Sequence, residues 1–370
     1  MGNTLVKSMR IILAIDTSCD ETACAIVKNT TILANTIWSQ ASLHAKWGGV
    51  VPNIAKSAHS EHIDFVINKA LAKAFPGTKD SHTTIANNID AIAVTIGPGL
   101  AVALEVGLKK AKELAVKYKK QIIAVNHIEG HVLSSLAKAK NKTTKSLPPK
   151  FPALGVVTSG KHTELIRIAK MGSYKIMAST IDDALGEALD KAARMLGFGY
   201  PGGHIIEELA KLGDPTVYPL PIPLVGQEKR MEFSYSGLKA ALFRQVAALA
   251  SKKGGLEKKQ TYDLAASFQK SAFAHLVRVT EYALKQNMLG EVRSVLVGGG
   301  VMANITLRKL LRNLFNDYSL PIHFPYSKVL YGDNAGMIGV AAHFKAQRGE
   351  FARNLKGMDR LPNLKIDSKT

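Results

Sequence analysis

The run Arg10-Ile-Ile-Leu-Ala-Ile-Asp16 closes on a small polar stretch, Thr17–Thr22. The same events begin again at Ala153-Leu-Gly-Val-Val-Thr158, which closes on Ser159-Gly-Lys-His-Thr163. Two more strand-like runs follow in each half: Ala23–Val27 and Thr31–Trp38 in the first, Glu164–Ala169 and Tyr174–Ser179 in the second. A chain that twice spells strand, polar turn, strand, short turn, strand points to a duplicated architecture. Apolar-periodic segments at Ser60–Phe75 and Leu100–Tyr118 read as helices, and Asp90–Ile96, Ile122–Val125 and Ser294–Val297 as buried strands. Alternating helices and strands give an α/β fold class. We expect two lobes with a cleft between them.

The stretch Lys138–Pro152, rich in Lys, Ser, Thr and Pro, reads as an exposed loop and the boundary between lobes. It sets an N-terminal lobe at 1–150 and a C-terminal lobe at 151–340. Residues 341–370 are expected to form a helix and tail that pack back on the first lobe. The 370 residues suffice for such a plan. Cys19 and Cys24 are the only cysteines, which excludes a disulfide scaffold and fits a reducing compartment. No apolar run reaches ~18 residues, so no transmembrane helix and no membrane partner are expected. The first ten residues, MGNTLVKSMR, are basic and too short for a secretory signal; they read as the remnant of a transit peptide or as an ordinary terminus.

A net charge of +20 attracts polyanions, nucleic acid first and anionic lipid second. Lys109, Lys110, Lys112, Lys117, Lys119 and Lys120 lie on or just after one helix, and Lys138, Lys140, Lys142, Lys145 and Lys150 follow in the loop. Each cluster is a solubilising face or a phosphate-backbone contact; the excess over the whole chain favours the latter.

Several motifs carry chemistry. In Asn126-His-Ile-Glu-Gly-His131, a helix starting near His127 puts both histidines on one face, one turn apart, where they converge on a cation or are merely polar helix residues. Tyr331-Gly-Asp-Asn-Ala-Gly336 opens a later helix, and Asp333 is either its N-cap or the oxygen ligand that the histidines lack. The hydroxyl-rich turns Asp16–Thr22 and Thr158–Thr163 resemble backbone anion cradles, although such turns are often only turns. Gly298-Gly-Gly-Val-Met-Ala-Asn304 follows a strand and is not a dinucleotide fingerprint. Its glycines permit close approach of a flat ligand, with Asn304 bonding that ligand or capping the next helix. Asp182, Asp183 and Asp190 straddle a helix start, with Glu187 on the face of Asp190, and Gly199–Gly203 makes a rigid turn after it.

Together these pieces resemble the tRNA N6-adenosine threonylcarbamoyltransferase (TsaD-type) family. The shared segments are IDTSCDETACAIV, HAKWGGVVPNIA, IGPGLAVALEVG, NHIEGH, TSGKHTEL, DDALGEALDKAARMLG, YPGG, FSYSGLK, SFQ, GGGVMAN and YGDNAGMI, in family order over about residues 10–345. The resemblance implies the fold of actin, Hsp70 and sugar kinases, with the active site in the interlobe cleft. It implies transfer of a threonylcarbamoyl group from threonylcarbamoyl-AMP to N6 of adenosine 37 in tRNAs reading ANN codons, with release of AMP. It implies one divalent cation, zinc or iron, on His127, His131 and Asp333. Substrate falls to Val157, Thr158, Ser159, Gly160 and Lys161, and to Asp190, Gly203, Glu207 and Asn304. Asp16, Ser18 and Glu21 are expected to support the reacting centre. Implied partners are tRNA, a second copy in a homodimer, and a threonylcarbamoyl-AMP synthase acting upstream.

Three positions depart from the family pattern. Lys161 stands where glycine is usual, Asn53 where glutamate is usual after Val51-Pro52, and His204 where proline commonly follows YPGG. With the basic composition and the Lys138–Pro152 insertion they favour a divergent, mitochondrial-matrix branch over a cytoplasmic one. The rival readings are an ATP-dependent kinase or ATPase of the same fold, which would hold magnesium through carboxylates and water, and a chaperone-like nucleotide-binding protein. A metallopeptidase would carry H-E-x-x-H, whereas Glu129 in H-I-E-G-H lies on a different face.

Overall fold

The computed structural model of the chain describes residues 11–78, 80–140 and 148–368. They fall into two compact units. The first gathers residues up to Gln40, Val50–Pro148 and the segment from Phe324 onward; the second gathers Ala41–Gly49 and Pro149–His323. The boundary drawn at 340 therefore differs from the contacts: the segment carrying Asp333 belongs to the first unit, because the helix that follows it packs there. Of the Lys138–Pro152 stretch, residues 141–147, with Lys142 and Lys145, lie outside the described residues.

The first unit opens with an antiparallel meander, β1 (Ile11–Asp16), β2 (Glu21–Lys28) and β3 (Thr31–Ser39). A one-turn helix, α1 (Ala41–Ala45), lies in the second unit. Then come α2 (Pro52–Ala74), α3 (Ser81–Asn88), β4 (Ala91–Gly97), α4 (Ala101–Tyr118), β5 (Gln121–Asn126), α5 (His127–Leu133) and the two-residue β6 (Lys138–Ala139). The strands order as β5-β4-β1-β2-β3-β6. β4 lies parallel to β1 and β5 parallel to β4. Covered on both faces, β4 is apolar throughout apart from Thr95 and Gly97, as a central parallel strand should be. β3 alternates buried and half-buried residues, as a strand covered on one face does.

Helix α2 starts two turns before the periodicity from Ser60 suggests. Pro52 sits in its first turn, and its first buried residues are Ala55, Ala58 and His59, which carry little hydrophobic signal. Helix α3 is not foreseen at all; Asp80 starts it by accepting the Thr83 N–H at 2.7 Å. Lys138–Ala139, expected to be loop, pairs with β3 as an edge strand.

The second unit repeats the plan. β7 (Ala153–Thr158), β8 (Thr163–Lys170) and β9 (Ser173–Thr180) form an antiparallel meander. Helices α6 (Leu185–Met195) and α7 (Gly203–Ala210) precede the short β10 (Glu232–Phe233), α8 (Ser236–Lys253) and the 28-residue α9 (Lys258–Lys285). β11 (Ser294–Gly298), α10 (Ile305–Asp317) and β12 (Ile322–His323) complete it. The order β10-β9-β8-β7-β11-β12 matches the first sheet strand for strand. β11 runs parallel to β7 as β4 does to β1, and each sheet ends in a two-residue strand parallel to its third. The duplicated α/β fold expected from the sequence is thus present in both sheets.

From Phe324 the chain rejoins the first unit. Helix α11 (Ala335–Gln347) packs on β1, β2, β5 and α5. The tail beyond is stitched on by backbone bonds: Ala352 N–H to Ile122 O at 2.8 Å, Leu361 N–H to Ile96 O at 2.7 Å, and Gly99 N–H to Pro362 O at 3.0 Å. Among the described residues no helix is long and apolar enough to cross a membrane.

At the end of β4 a Cβ on Gly97 would lie 1.8 Å from the Leu361 carbonyl oxygen. Gly97→Ala should therefore displace the tail and cost about 1–3 kcal/mol, the range for overpacking. The lower Tm should come with earlier proteolysis beyond Gln347; an unchanged Tm would contradict this seating of the tail.

Candidate functional site

The first polar turn joins β1 to β2 at the carboxyl end of β1, and backbone groups at the start of α4 together with a side chain of α2 fix it. Thr17 Oγ1 donates to the Ala103 carbonyl of α4 at 2.8 Å, and the Leu100 N–H donates to the Ser18 carbonyl at 2.8 Å. Buried His59 of α2 bridges it through one ring nitrogen 2.8 Å from Thr22 Oγ1 and the other 3.0 Å from the Cys19 carbonyl. So held, the turn presents Asp16 and Ser18 to α5. Ser18 Oγ lies 3.1 Å from His127 Nδ1, and Asp16 Oδ2 lies 3.6 Å from it.

Helix α5 starts at His127 because Asn126 caps it, its side-chain oxygen accepting the N–H groups of Ile128 and Glu129. His127 and His131 then share a face, with ring centroids 4.6 Å apart. Asp333 Oδ1 stands 3.4 Å from His127 Nε2 and 3.2 Å from His131 Nε2. The residue that caps α11 is Asn334, whose side chain accepts the Met337 N–H at 3.0 Å and is buttressed by Asn35 Nδ2 at 3.2 Å. Asp333 is accordingly released from capping and points at the imidazoles.

One ligand atom from each of His127, His131 and Asp333 fits within 4.8 Å of the others, and among the described residues this is the cluster with metal-ligand chemistry. The donor set suits a divalent cation: two imidazole nitrogens and a carboxylate oxygen. Both ring nitrogens of His131 are buried and make no hydrogen bond, nor does Asp16 Oδ2. Buried polar atoms left without partners are costly, and a cation on this cluster would satisfy one nitrogen of His131. The metal-free electrostatics agree. Burial disfavours charge on His127, yet the Asp333 and Asp16 carboxylates outweigh it and lift this imidazole to about 10. Burial together with the His127 charge leaves His131 below its ordinary value against the pull of Asp333. Burial would raise Asp333, but the two imidazoles hold it well below the usual carboxylate range. Glu21, at the start of β2, is pushed well above that range by burial, then by Asp20 and Asp333.

Glu129, between the histidines in sequence, turns away from them. Only 3% exposed, it lies 3.5 Å from Arg348 Nη2 at the end of α11. Sequence reading gave Arg348 no role, since nothing in its local sequence marks it.

In the second unit the turn Ser159–His162 closes on itself: the Ser159 N–H donates to the His162 carbonyl at 2.8 Å, and Ser159 Oγ accepts the His162 N–H at 3.2 Å. Val157, Thr158 and Ser159 are buried; Gly160 and Lys161 are exposed. Lys161 is not among the residues with positive φ, so the turn needs no glycine there and takes lysine without backbone strain. Beside it Gly299 has φ +96°, and a Cβ there would meet the Thr158 carbonyl oxygen at 2.2 Å. Glycine is required at that position.

Asp190, Glu207 and Asn304 each accept a backbone N–H, and Asp190 thereby holds Gly203. Asp190 Oδ1 accepts the N–H groups of Gly202 at 2.7 Å and Gly203 at 3.1 Å, so it holds the YPGG turn at the start of α7. Glu207 Oε1 accepts the Ile305 N–H at 2.8 Å. Asn304 caps α10 by accepting the Leu307 N–H at 3.1 Å, and its Nδ2 donates to buried Gln269 Oε1 at 2.8 Å. The capping reading of Asn304 therefore holds. Gln269, in the SFQ segment, was given no role from sequence, because one glutamine in a long helix carries no signal. Glu187 pairs with Lys191 at 2.7 Å instead of acting with Asp190. Asp183 binds Lys191 and Lys239, and Asp182 accepts from Ser234 Oγ and the Tyr235 N–H.

The lysine-rich face of α4 is partly consumed by the fold. Lys110 pairs with Asp64 and Glu113, Lys112 Nζ donates to the Met358 carbonyl, and Lys120 Nζ to the Ala86 carbonyl. Lys109, Lys117 and Lys119 remain exposed.

Comparison with known proteins places this geometry. The family model described as TsaD, tRNA N6-adenosine threonylcarbamoyltransferase, matches residues 31–340. A protein of that name from Trichlorobacter lovleyi is 42% identical over 332 residues, covering 90% of each chain. One from Clostridium kluyveri is 40% identical over 364 residues, covering 98% of this chain and 99% of its own. Among solved structures, HypF of T. kodakarensis superposes with a TM-score of 0.57 at 14% identity, over 92% of this chain and 49% of that one. A full-length HypF in a phosphate- and nucleotide-bound form gives 0.53 at 15% identity, over 92% and 56%. The chain thus spans about half the length of these two structures, and the likeness bears on the fold alone.

A metal-binding imidazole must be neutral. Because His127 is lifted above 6.5 in the metal-free protein, its charged form stabilises that state fully below pH 6.5 and loses the effect as pH rises through about 10. Loading zinc at about pH 8 should therefore release ~1 proton per site. Calorimetry in buffers of different ionisation enthalpy reads that number from the slope; a slope of zero would contradict the arrangement.

Proposed function

The chain belongs to the tRNA N6-adenosine threonylcarbamoyltransferase family, and from that premise we propose how its own residues carry the transfer. It is a transferase that forms N6-threonylcarbamoyladenosine on tRNA. We assign the acyl-transfer chemistry to the residues around α5 and the handling of the adenylate to the second unit. The observation that carries this reading is the convergence of His127, His131 and Asp333 within 4.8 Å in a chain of this family.

The donor is threonylcarbamoyl-AMP, a mixed anhydride, so AMP is a competent leaving group. The exocyclic N6 amine of adenosine 37 is a poor nucleophile, and holding it against the carbonyl supplies much of the acceleration. His127, His131 and Asp333 would hold a divalent cation, zinc or iron, which would supply positive charge to an acyl or phosphate oxygen. Ser18 and Asp16, both against His127 Nδ1, set the orientation of that ring, the task that outer partners perform around metal-binding histidines. Glu21, whose carboxyl is held above its ordinary range by burial and by Asp20 and Asp333, can take up the proton that the amine loses on acylation when it is ionised.

On the donor side, the exposed tip of the turn, Gly160 and Lys161, lies against the substrate, and Lys161 adds a cation beside the phosphate. Asp190 acts through the Gly202–Gly203 turn, which it pins from below, and Glu207 and Asn304 hold the start of α10 in place. Their hydrogen bonds to backbone support this shaping role.

We further propose that the chain works as a homodimer without accessory subunits, downstream of a threonylcarbamoyl-AMP synthase, in the mitochondrial matrix. The +20 net charge and the departures at Asn53, Lys161 and His204 support this branch.

The decisive assay incubates the purified chain with tRNA transcript, ATP, threonine, bicarbonate and a threonylcarbamoyl-AMP synthase, followed by nucleoside mass spectrometry. Modified adenosine is the expected product. Product that appears only when accessory subunits are added removes self-sufficiency; no product under either condition removes the transferase assignment. Asp190→Ala frees two backbone donors and should weaken AMP binding by about 1–3 kcal/mol. Metal content should be unchanged, and Asp190→Asn, which keeps an acceptor oxygen, should lose less. Equal calorimetric affinity in all three proteins would refute the role given to Asp190.

A further inference from the structure

The HAKWGG segment belongs to neither the metal cluster nor the adenylate turn, and it presents an exposed indole. Trp47 is 58% exposed. A large ring in water forgoes the burial that aromatic residues normally obtain, so its position calls for a partner. The ring is not on a loose strap. It ends the helical turn of α1, with the Trp47 N–H donating to the His44 carbonyl at 2.9 Å and the Gly48 N–H to the Ala45 carbonyl at 3.1 Å. His44, at the root of the turn, is fully buried. Gly48 has φ +67°, and a Cβ there would lie 3.1 Å from Arg194 Nη1, so the guanidinium sits directly against the turn. Lys46 Nζ stands 5.4 Å from the centroid of the Trp47 ring. An exposed indole with one cation over it and a second behind its turn combines a π-face with positive charge.

We propose that Trp47 is a stacking platform for an unpaired nucleobase of the RNA substrate, with Lys46 and Arg194 on the flanking phosphates. The proposal rests on the tRNA reading above and names where on this chain a loop base is received. Single-stranded segments whose bases are splayed out are recognised by stacking on aromatic rings and by backbone-tracking cations. An aliphatic protein partner would not explain the two cations, and a duplex would offer phosphates without a free base face.

The chain supplies its own reporter. Its other tryptophan, Trp38, stacks on His62 with ring centroids 3.5 Å apart. Trp38→Phe leaves Trp47 as the sole tryptophan. An anticodon stem-loop RNA should quench the fluorescence of this variant saturably, whereas AMP and a duplex RNA of equal length should not. In the parent protein Trp47→Ala should weaken stem-loop binding about tenfold, within the range for one lost stack. Trp47→Phe should retain most of the affinity. Trp47→Ala should leave the slope of log K against log salt unchanged, while Lys46→Ser should flatten it by roughly 0.7–0.9. If the stem-loop binds while Trp47 emission is unmoved and Trp47→Ala binds as tightly as the parent, the platform is refuted and the tRNA reading stands. If duplex quenches as well as the loop, or Trp47→Ala changes the oligomeric state instead of RNA affinity, the assignment is equally overturned. Failure of the parent to bind any tRNA would defeat the platform together with the reading on which it rests.

Discussion

In each unit the first strand is paired antiparallel on one side and parallel on the other. β1 lies between β2 and β4, and β7 between β8 and β11. At its carboxyl end the chain must turn back sharply into the hairpin on one flank, while the parallel neighbour departs into a connection on the other. Backbone is left diverging at that point, which is why open α/β sheets bind ligands there. Asp16 and the Ser18 turn occupy this end of β1, and Thr158 and Ser159 occupy it in β7, with Gly299 at the end of the parallel neighbour. The sequence repeats its polar turn because the topology repeats the opening.

In the first unit that opening collects charge. Two carboxylates and two imidazoles are brought together away from water, an arrangement that a protein tolerates only when the charges are paired or share a metal. The metal-free state answers by moving protons, lifting His127 and depressing Asp333. The second unit answers differently: its carboxylates are spent on backbone N–H groups, so Asp190 and Glu207 become parts of the scaffold. The two units thus use their acidic residues differently, one concentrating electrostatic demand and the other fixing loop shape.

The strands that head each half were legible in sequence because their apolar runs end in dense polar turns, and the two histidines because α5 is capped at Asn126. The early turns of α2 were not legible, since alanine and histidine make their buried stripe. Asp333 could be read two ways, and the choice turned on Asn334, whose short side chain reaches the Met337 N–H and takes the cap. Gln269 and Arg348 were invisible for a common reason: each acts on a residue distant in sequence, and a single polar residue in a helix announces no partner. The division into lobes was misplaced at its end because the last helix has no composition shift before it; it belongs to the first unit through packing alone.

That packing has a consequence for how the chain comes into being. The first unit holds Asp333 about 200 residues after His131, with the second unit inserted between. During synthesis the five strands that form the body of the first sheet emerge early, but the helix that covers them and Asp333, the carboxylate of the candidate cation site, emerge late. A ribosome-bound chain must keep an apolar sheet face waiting while the second unit is made, and the three side chains of the candidate cation site can come together only after Asp333 has emerged. A cation held by these three side chains would then report that the two separated parts of the first unit have come together.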